Sequence, residues 1–233
     1  MADTPLKSLT FPDLTDTYTI PERLLESGTG TDSIKQVATN NENENTASGN
    51  QAIALGRKSV ASGQASIAIG NKLSTVNWGT TASANGAIAI GASAKAAGAL
   101  SVAIGQVAQA EDSMGFAFGN YSDAKAMYSV AIGNRAISSG RACTVLGQAN
   151  VEDTNTVDTT HGDGARKYIL IVGNGLNESN RSNALTVDWD GNLVVSGSMS
   201  ANYGVANAGK FLVVGSDGIV APVAMATWQG GSY

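Results

Sequence analysis

RKSVASGQASIAIG (57–70) and ASAKAAGALSVAIG (92–105) are two copies of one phrase, and their reading decides the fold. Seven such phrases close on Gly56, Gly70, Gly91, Gly105, Gly119, Gly133 and Gly147, at separations of 14, 21, 14, 14, 14 and 14 residues. A fixed period of this kind marks one structural unit copied along an axis. The chain from 43 to 147 therefore reads as a stack of about seven coils.

Within each phrase two branched or apolar residues flank a small one, as in Ile67-Ala68-Ile69 and Val102-Ala103-Ile104. Alternation with period two predicts a short strand with one buried face. The branched residues, with Phe116 and Phe118 of GFAFG, are expected on that buried face. The alanines between them are expected to point the other way, as a wall that a neighbouring backbone can approach closely. Ala68, Ala89, Ala103 and Ala131 are accordingly the candidates for a homotrimer interface. A second small position lies nine residues before each closing glycine (Ala47, Ala61, Ala82, Ala96, Ala110, Ala124, Ser138). Gly49, Gly63, Gly98 and Gly140 lie seven before it, so each coil reads as two strands and two tight turns. Seven coils at the ~4.8 Å strand spacing give a rod on the order of 30–35 Å long.

The 21-residue interval inserts seven residues at Asn71–Asn77, just before Trp78. The later copies keep their phase, so a loop thrown outward is expected, and such loops are common interaction points. Trp78, Tyr121, Tyr128 and Tyr203 are the candidate receptor-contact residues, because aromatics with a polar handle suit recognition.

The 233 residues include 28 glycines, with 6% aromatic and 14% charged residues. Small side chains bury little apolar area each, which favours narrow coils or a shared core over a wide globule. The net charge of -5 gives no footprint for nucleic acid. No apolar run approaches the ~20 residues of a membrane helix, so no membrane insertion is expected. A single cysteine, Cys143, excludes an intrachain disulfide. The start, MADTPLKSLT, lacks the pattern of a secretory signal, which predicts a soluble protein made in a cytoplasm.

Residues 1–42 read as an N-terminal attachment arm: a strand at Leu14–Ile20 between prolines, a helical turn or two ending at Gly28, then an extended stretch from Thr29 to Asn45. Residues 148–165 read as a polar connector, with His161 exposed and inert. Its Asp and Asn residues lack the spacing of a calcium loop. Residues 166–233 read as a small β module. It has a strand at YILIVG (168–173) and hairpins at Asp190-Gly191 and Asp217-Gly218.

The fourteen-residue phrase closely resembles the head repeat of trimeric autotransporter adhesins. That resemblance implies a left-handed parallel β-roll, one per chain, assembled as a homotrimer. Two flanking phrases, LTFPDLTDTYTIP (9–21) and SNRSNALTVDWDGNLVVSGSMS (179–200), are similar to segments of tailed-bacteriophage fibre and baseplate proteins. Together with the missing leader, heptad stalk and membrane barrel, they favour a trimeric virion fibre made in the host cytoplasm. Its arm at 1–42 would dock onto other virion proteins, and its surface would bind a host glycan or protein. The alternative is a fragment of a bacterial surface adhesin. A remote alternative, a left-handed β-helix acyltransferase, needs a hexapeptide period and a catalytic histidine in the repeats, and neither is present. No catalytic residue, cofactor or metal site is expected.

Overall fold

The computed structural model describes residues 25–36, 45–196, 210–214 and 220–224. Every coil contributes one strand to each of two parallel sheets. A long sheet runs through Ile53–Leu55, Ile67–Ile69, Ile88–Ile90, Val102–Ile104, Phe116–Phe118, Val130–Asn134 and Thr144–Gln148. A short sheet of seven strands stacks Thr46–Ala47, Val60–Ala61, Thr81–Ala82, Lys95–Ala96, Gln109–Ala110, Asp123–Ala124 and Ile137–Ser138. The chain is an all-β roll, with the coil period read from the glycines.

Register keeps equivalent residues above one another. Ala103 pairs with Ala89 on one side and Ala117 on the other, while Val102 and Ile104 pair with Ile88 and Ile90, then with Phe116 and Phe118. The alanines turn inward. Ala54, Ala68, Ala89, Ala103, Ala117 and Ala131 are fully buried, opposed by the equally buried Ala61, Ala82, Ala96, Ala110 and Ala124 of the short sheet. The core is thus alanine against alanine, and two sheets this close leave no room for branched side chains between them.

This geometry reverses the expected orientation. Ala68, Ala89, Ala103 and Ala131 form no surface for another chain, because the roll's own second sheet covers them. The branched residues instead line the outer face, and Phe118 is 47% exposed rather than in the core, with Phe116 half-buried beside it. A single chain has only one narrow interior, and the smallest residues take it.

Buried hydroxyls close the corners. Ser59 Oγ donates to the Gly70 carbonyl at 2.7 Å and Thr80 Oγ1 to that of Gly91 at 2.6 Å, so one coil's corner is tied to the next. Each closing glycine has a reason of its own. Gly105 sits at φ +136°, and a Cβ there would lie 2.2 Å from the Gly119 carbonyl oxygen. A side chain is excluded both by backbone conformation and by the coil above.

The turns use left-handed backbone at two places per coil, seven residues apart. Lys58, Ser93, Val107, Tyr121 and Arg135 hold one; Ala65, Leu100, Met114, Tyr128 and Ala142 hold the other. Few of these are residues that favour φ > 0, and Val107, β-branched at φ 55°, is the least expected. The ladder offsets the cost. Apart from Lys58, the amide of each donates to a carbonyl of the preceding coil, as Val107 does to Ala92 and Leu100 to Asn85, both at 2.9 Å.

Both ends differ from expectation. Leu25–Ser27 is a strand rather than a helical turn, paired antiparallel with Ile34–Gln36. Ile34 then pairs in parallel with Ile53, so part of the expected arm belongs to the stack. At the other end Tyr168–Asn174 pairs in parallel with Thr144–Gln148, carrying the sheet through the expected boundary at 166. It continues antiparallel into Asn183–Asp188 and Leu193–Val195, around the expected Asp190-Gly191 turn. Beyond the last strand of the short sheet, the inward alanine column becomes Val145 and then Ile171, which fill the widening end. The hairpin of Lys210–Val214 with Val220–Ala224 forms a separate unit. The expected strand at 14–20 and Tyr203 lie outside the described residues.

Candidate adhesive surface

Three outward surfaces follow from this arrangement. The first is the outer face of the long sheet. Two columns run along it: Ile53, Ile67, Ile88, Val102, Phe116 and Val130, and Leu55, Ile69, Ile90, Ile104, Phe118, Ile132 and Leu146. All are half-buried or exposed in one chain. With the continuation into Leu170 and Val172, the strip is about 35 Å long at ~4.8 Å per strand. Two side chains wide, it covers on the order of 350 Å², the size at which apolar patches mark interaction sites.

The second is the edge formed by the closing turns. Its amides form a continuous ladder, Lys72 to Arg57, Ser93 to Asn71, Val107 to Ala92, Tyr121 to Gln106 and Arg135 to Asn120. Tyr121 is 38% exposed and stacked under the Arg135 guanidinium, 5.3 Å from its carbon. The insertion leaves the roll on this edge and is clamped back onto it at Ser93. The Trp78 indole N–H donates to the Ser93 carbonyl at 3.1 Å, and Ser93 Oγ donates to the Trp78 carbonyl at 3.0 Å. Trp78 remains 37% exposed. Trp78 and Tyr121 therefore share one edge, whereas Tyr128 lies on the opposite one, stacked with Arg141 and in line with the exposed Leu100 and Met114. The apolar row Leu100–Met114–Tyr128 escaped the sequence reading, although a fourteen-residue alignment puts all three in one column.

The third is the outer face of the short sheet, where charge collects at one end. Asp123 is flanked by Lys125 at 3.9 Å, and Lys125 makes a 2.8 Å ion pair with Glu152. Burial, with Glu111 nearby, pushes the Asp123 carboxyl up to about 6. Its Oδ1 is buried without a hydrogen-bond partner. His161 is not the free, inert group expected. It bonds Asp158 at 2.7 Å and stacks on Trp189 at 5.2 Å, and so pins the connector to the 183–195 hairpin.

A family model described as the YadA head domain repeat matches residues 47–72, 82–108 and 114–136. The matched segments lie in the roll and leave out residues 73–81, which take in most of the Asn71–Asn77 insertion and Trp78. No curated protein matches the chain. The repeats of the roll are thus similar to the YadA head domain repeat.

Proposed function

We propose that the chain is a head-type module of a trimeric adhesin, in which three rolls pack their long-sheet faces together and present their edges for attachment. The observation that carries this reading is the strip of Ile, Val, Leu and Phe columns left open on a roll of adhesin head repeats. A strip of this width falls well short of the ~800 Å² per partner of a standard pairwise interface. Convergence on a threefold axis lets each strip contact two others at once. The homotrimer is kept from the sequence reading, but its contact surface moves from the alanines to the branched residues.

A virion placement would rest on the flanking phrases at 9–21 and 179–200. Residues 9–21 lie outside the described structure, and the family match is confined to the repeats. The adhesin reading therefore takes precedence. The test is sedimentation of the intact chain, with Ile104→Lys as the disrupting variant. A trimer that this change dissociates is expected; a wild-type monomer at micromolar concentration overturns the reading.

A further inference from the structure

Charge is unevenly distributed along the roll. From Asn45 to Ala110 the sequence contains no Asp or Glu, although the whole chain carries -5. The charges in that span are Arg57, Lys58, Lys72 and Lys95. Three of the four meet on the closing-turn edge at the base of the insertion. The Arg57 guanidinium donates to the Lys72 carbonyl at 2.9 Å, and its backbone amide donates to Asn71 Oδ1 at 2.8 Å. Lys58 stands against Gly79, the residue after Trp78; a Cβ on that glycine would come 3.2 Å from the lysine's own. Arg57 and Lys58 are exposed, and among the described residues no carboxylate pairs with Arg57, Lys58 or Lys72. The nearest acids before them in sequence, Glu42 and Glu44, lie outside the described residues.

We infer that this edge is a binding site for an acidic polysaccharide, with Arg57, Lys58 and Lys72 taking its carboxylate or sulfate groups and Trp78 stacking on a sugar ring. The inference deepens the attachment role proposed above by naming the surface and the ligand class. Unpaired cations raise the local anion concentration and gain from each anionic group they neutralise. The indole N–H is already committed to Ser93, which fixes the ring and leaves its exposed part for the apolar C–H face of a sugar. Farther along the same ladder, Tyr121 under Arg135 repeats the pairing of an aromatic with a cation. The rungs advance by ~4.8 Å, close to the advance of one sugar ring along an extended polysaccharide, so successive rungs can meet successive sugars. The -5 net charge disfavours a more densely charged nucleic acid, which would reach beyond the patch.

The experiment measures binding of the intact chain to heparin and to polygalacturonate as sulfated and carboxylated probes. Neutral dextran and a DNA duplex serve as comparisons. Expected is binding to at least one acidic polysaccharide that weakens with salt. It should fall tenfold or more in Arg57→Gln/Lys58→Gln/Lys72→Gln, and remain in Lys95→Gln, a change on the short sheet away from that edge. Binding to neither acidic probe, unchanged binding by the triple variant, or equal binding of the duplex overturns the inference. Every group named belongs to one chain, so the two proposals fail separately. A monomer that binds refutes only the trimer, and a trimer that does not bind refutes only this site.

Discussion

The guanidinium carbon of Arg135 lies 5.3 Å from the centre of the Tyr121 ring, and both residues hold the same left-handed turn position in successive coils, at φ 56° and 54°. The stack and the backbone strain oppose one another at Tyr121. Tyr121→Ala loses the stack and keeps the strain. Tyr121→Gly loses the stack and relieves about 1 kcal/mol of left-handed backbone cost. The glycine variant is therefore expected to be the more stable of the two by about 1 kcal/mol in urea unfolding, against the usual order of alanine over glycine. Arg135→Gln should cost about 0.5–1 kcal/mol, the worth of an exposed cation–π contact.

The two faces of the long sheet predict opposite outcomes for neighbouring residues. Ala103→Leu places a branched side chain between two sheets that touch through alanine, and overpacking should cost about 3 kcal/mol or more. The roll itself should lose its cooperative melt. Ile104→Lys changes an outward residue, so β circular dichroism should persist while the oligomer dissociates. Equal behaviour of the two variants would contradict the inward alanine column.

The period, the two strands and two turns per coil, and both later hairpins were legible in the sequence, because glycine spacing and alternation respond to backbone geometry alone. The direction of each face was not. In Val102-Ala103-Ile104 the alternation says that the faces differ but not which one is inside, and hydrophobicity points the wrong way when the interior is too narrow for valine. Left-handed turns at Val107, Tyr121 and Leu100 were illegible for a related reason. Their amides are fixed by the neighbouring coil, and no local preference announces it. Trp78 was legible as an insertion residue, while its clamp on Ser93 depends on a contact fifteen residues away.

Asp123 sets a pH dependence. Its folded carboxyl titrates at about 6, raised by burial and then by Glu111, against an ordinary value near 3.8. The folded state therefore holds a proton that the unfolded chain has released between these values. Stability is greatest below pH ~4 with respect to this group and falls as pH rises through 6. Asp123→Asn should remove that slope and stabilise the roll at pH 7 by on the order of 2 kcal/mol. An uncharged residue suits the column, since Gln109 and Ile137 occupy it in the adjacent coils. Melting curves of both proteins at pH 4 and pH 7 check it: the variant's advantage should vanish at the lower pH.

Gly105 and Gly191 separate clash from strain. Both have positive φ, at 136° and 81°, but a Cβ on Gly105 would meet the Gly119 carbonyl whereas Gly191 faces open space. Gly191→Ala should cost about 1–2 kcal/mol, the left-handed penalty alone. Gly105→Ala should exceed 4 kcal/mol, because the coil above must move as well. Thermal melts of the two variants would show the difference directly.

Asn150 ends the short sheet by imitating the strand that would come next. Its Oδ1 accepts from the Ile137 amide at 2.8 Å, and its Nδ2 donates to the Ile137 carbonyl at 2.9 Å, so one side chain supplies both halves of a rung. The residue is fully buried. Asn150→Ala would orphan a buried donor and a buried acceptor, costing about 1–3 kcal/mol for each group. Asn150→Asp keeps the acceptor but sets a carboxylate oxygen against the Ile137 carbonyl, so it should be no better than alanine at neutral pH. Hydrogen exchange at the Ile137 amide reads the rung itself. It should be slow in the wild type and accelerate in Asn150→Ala. In Asn150→Asp the same amide should stay partly protected even as the roll weakens, because only the donor half of the rung has been lost.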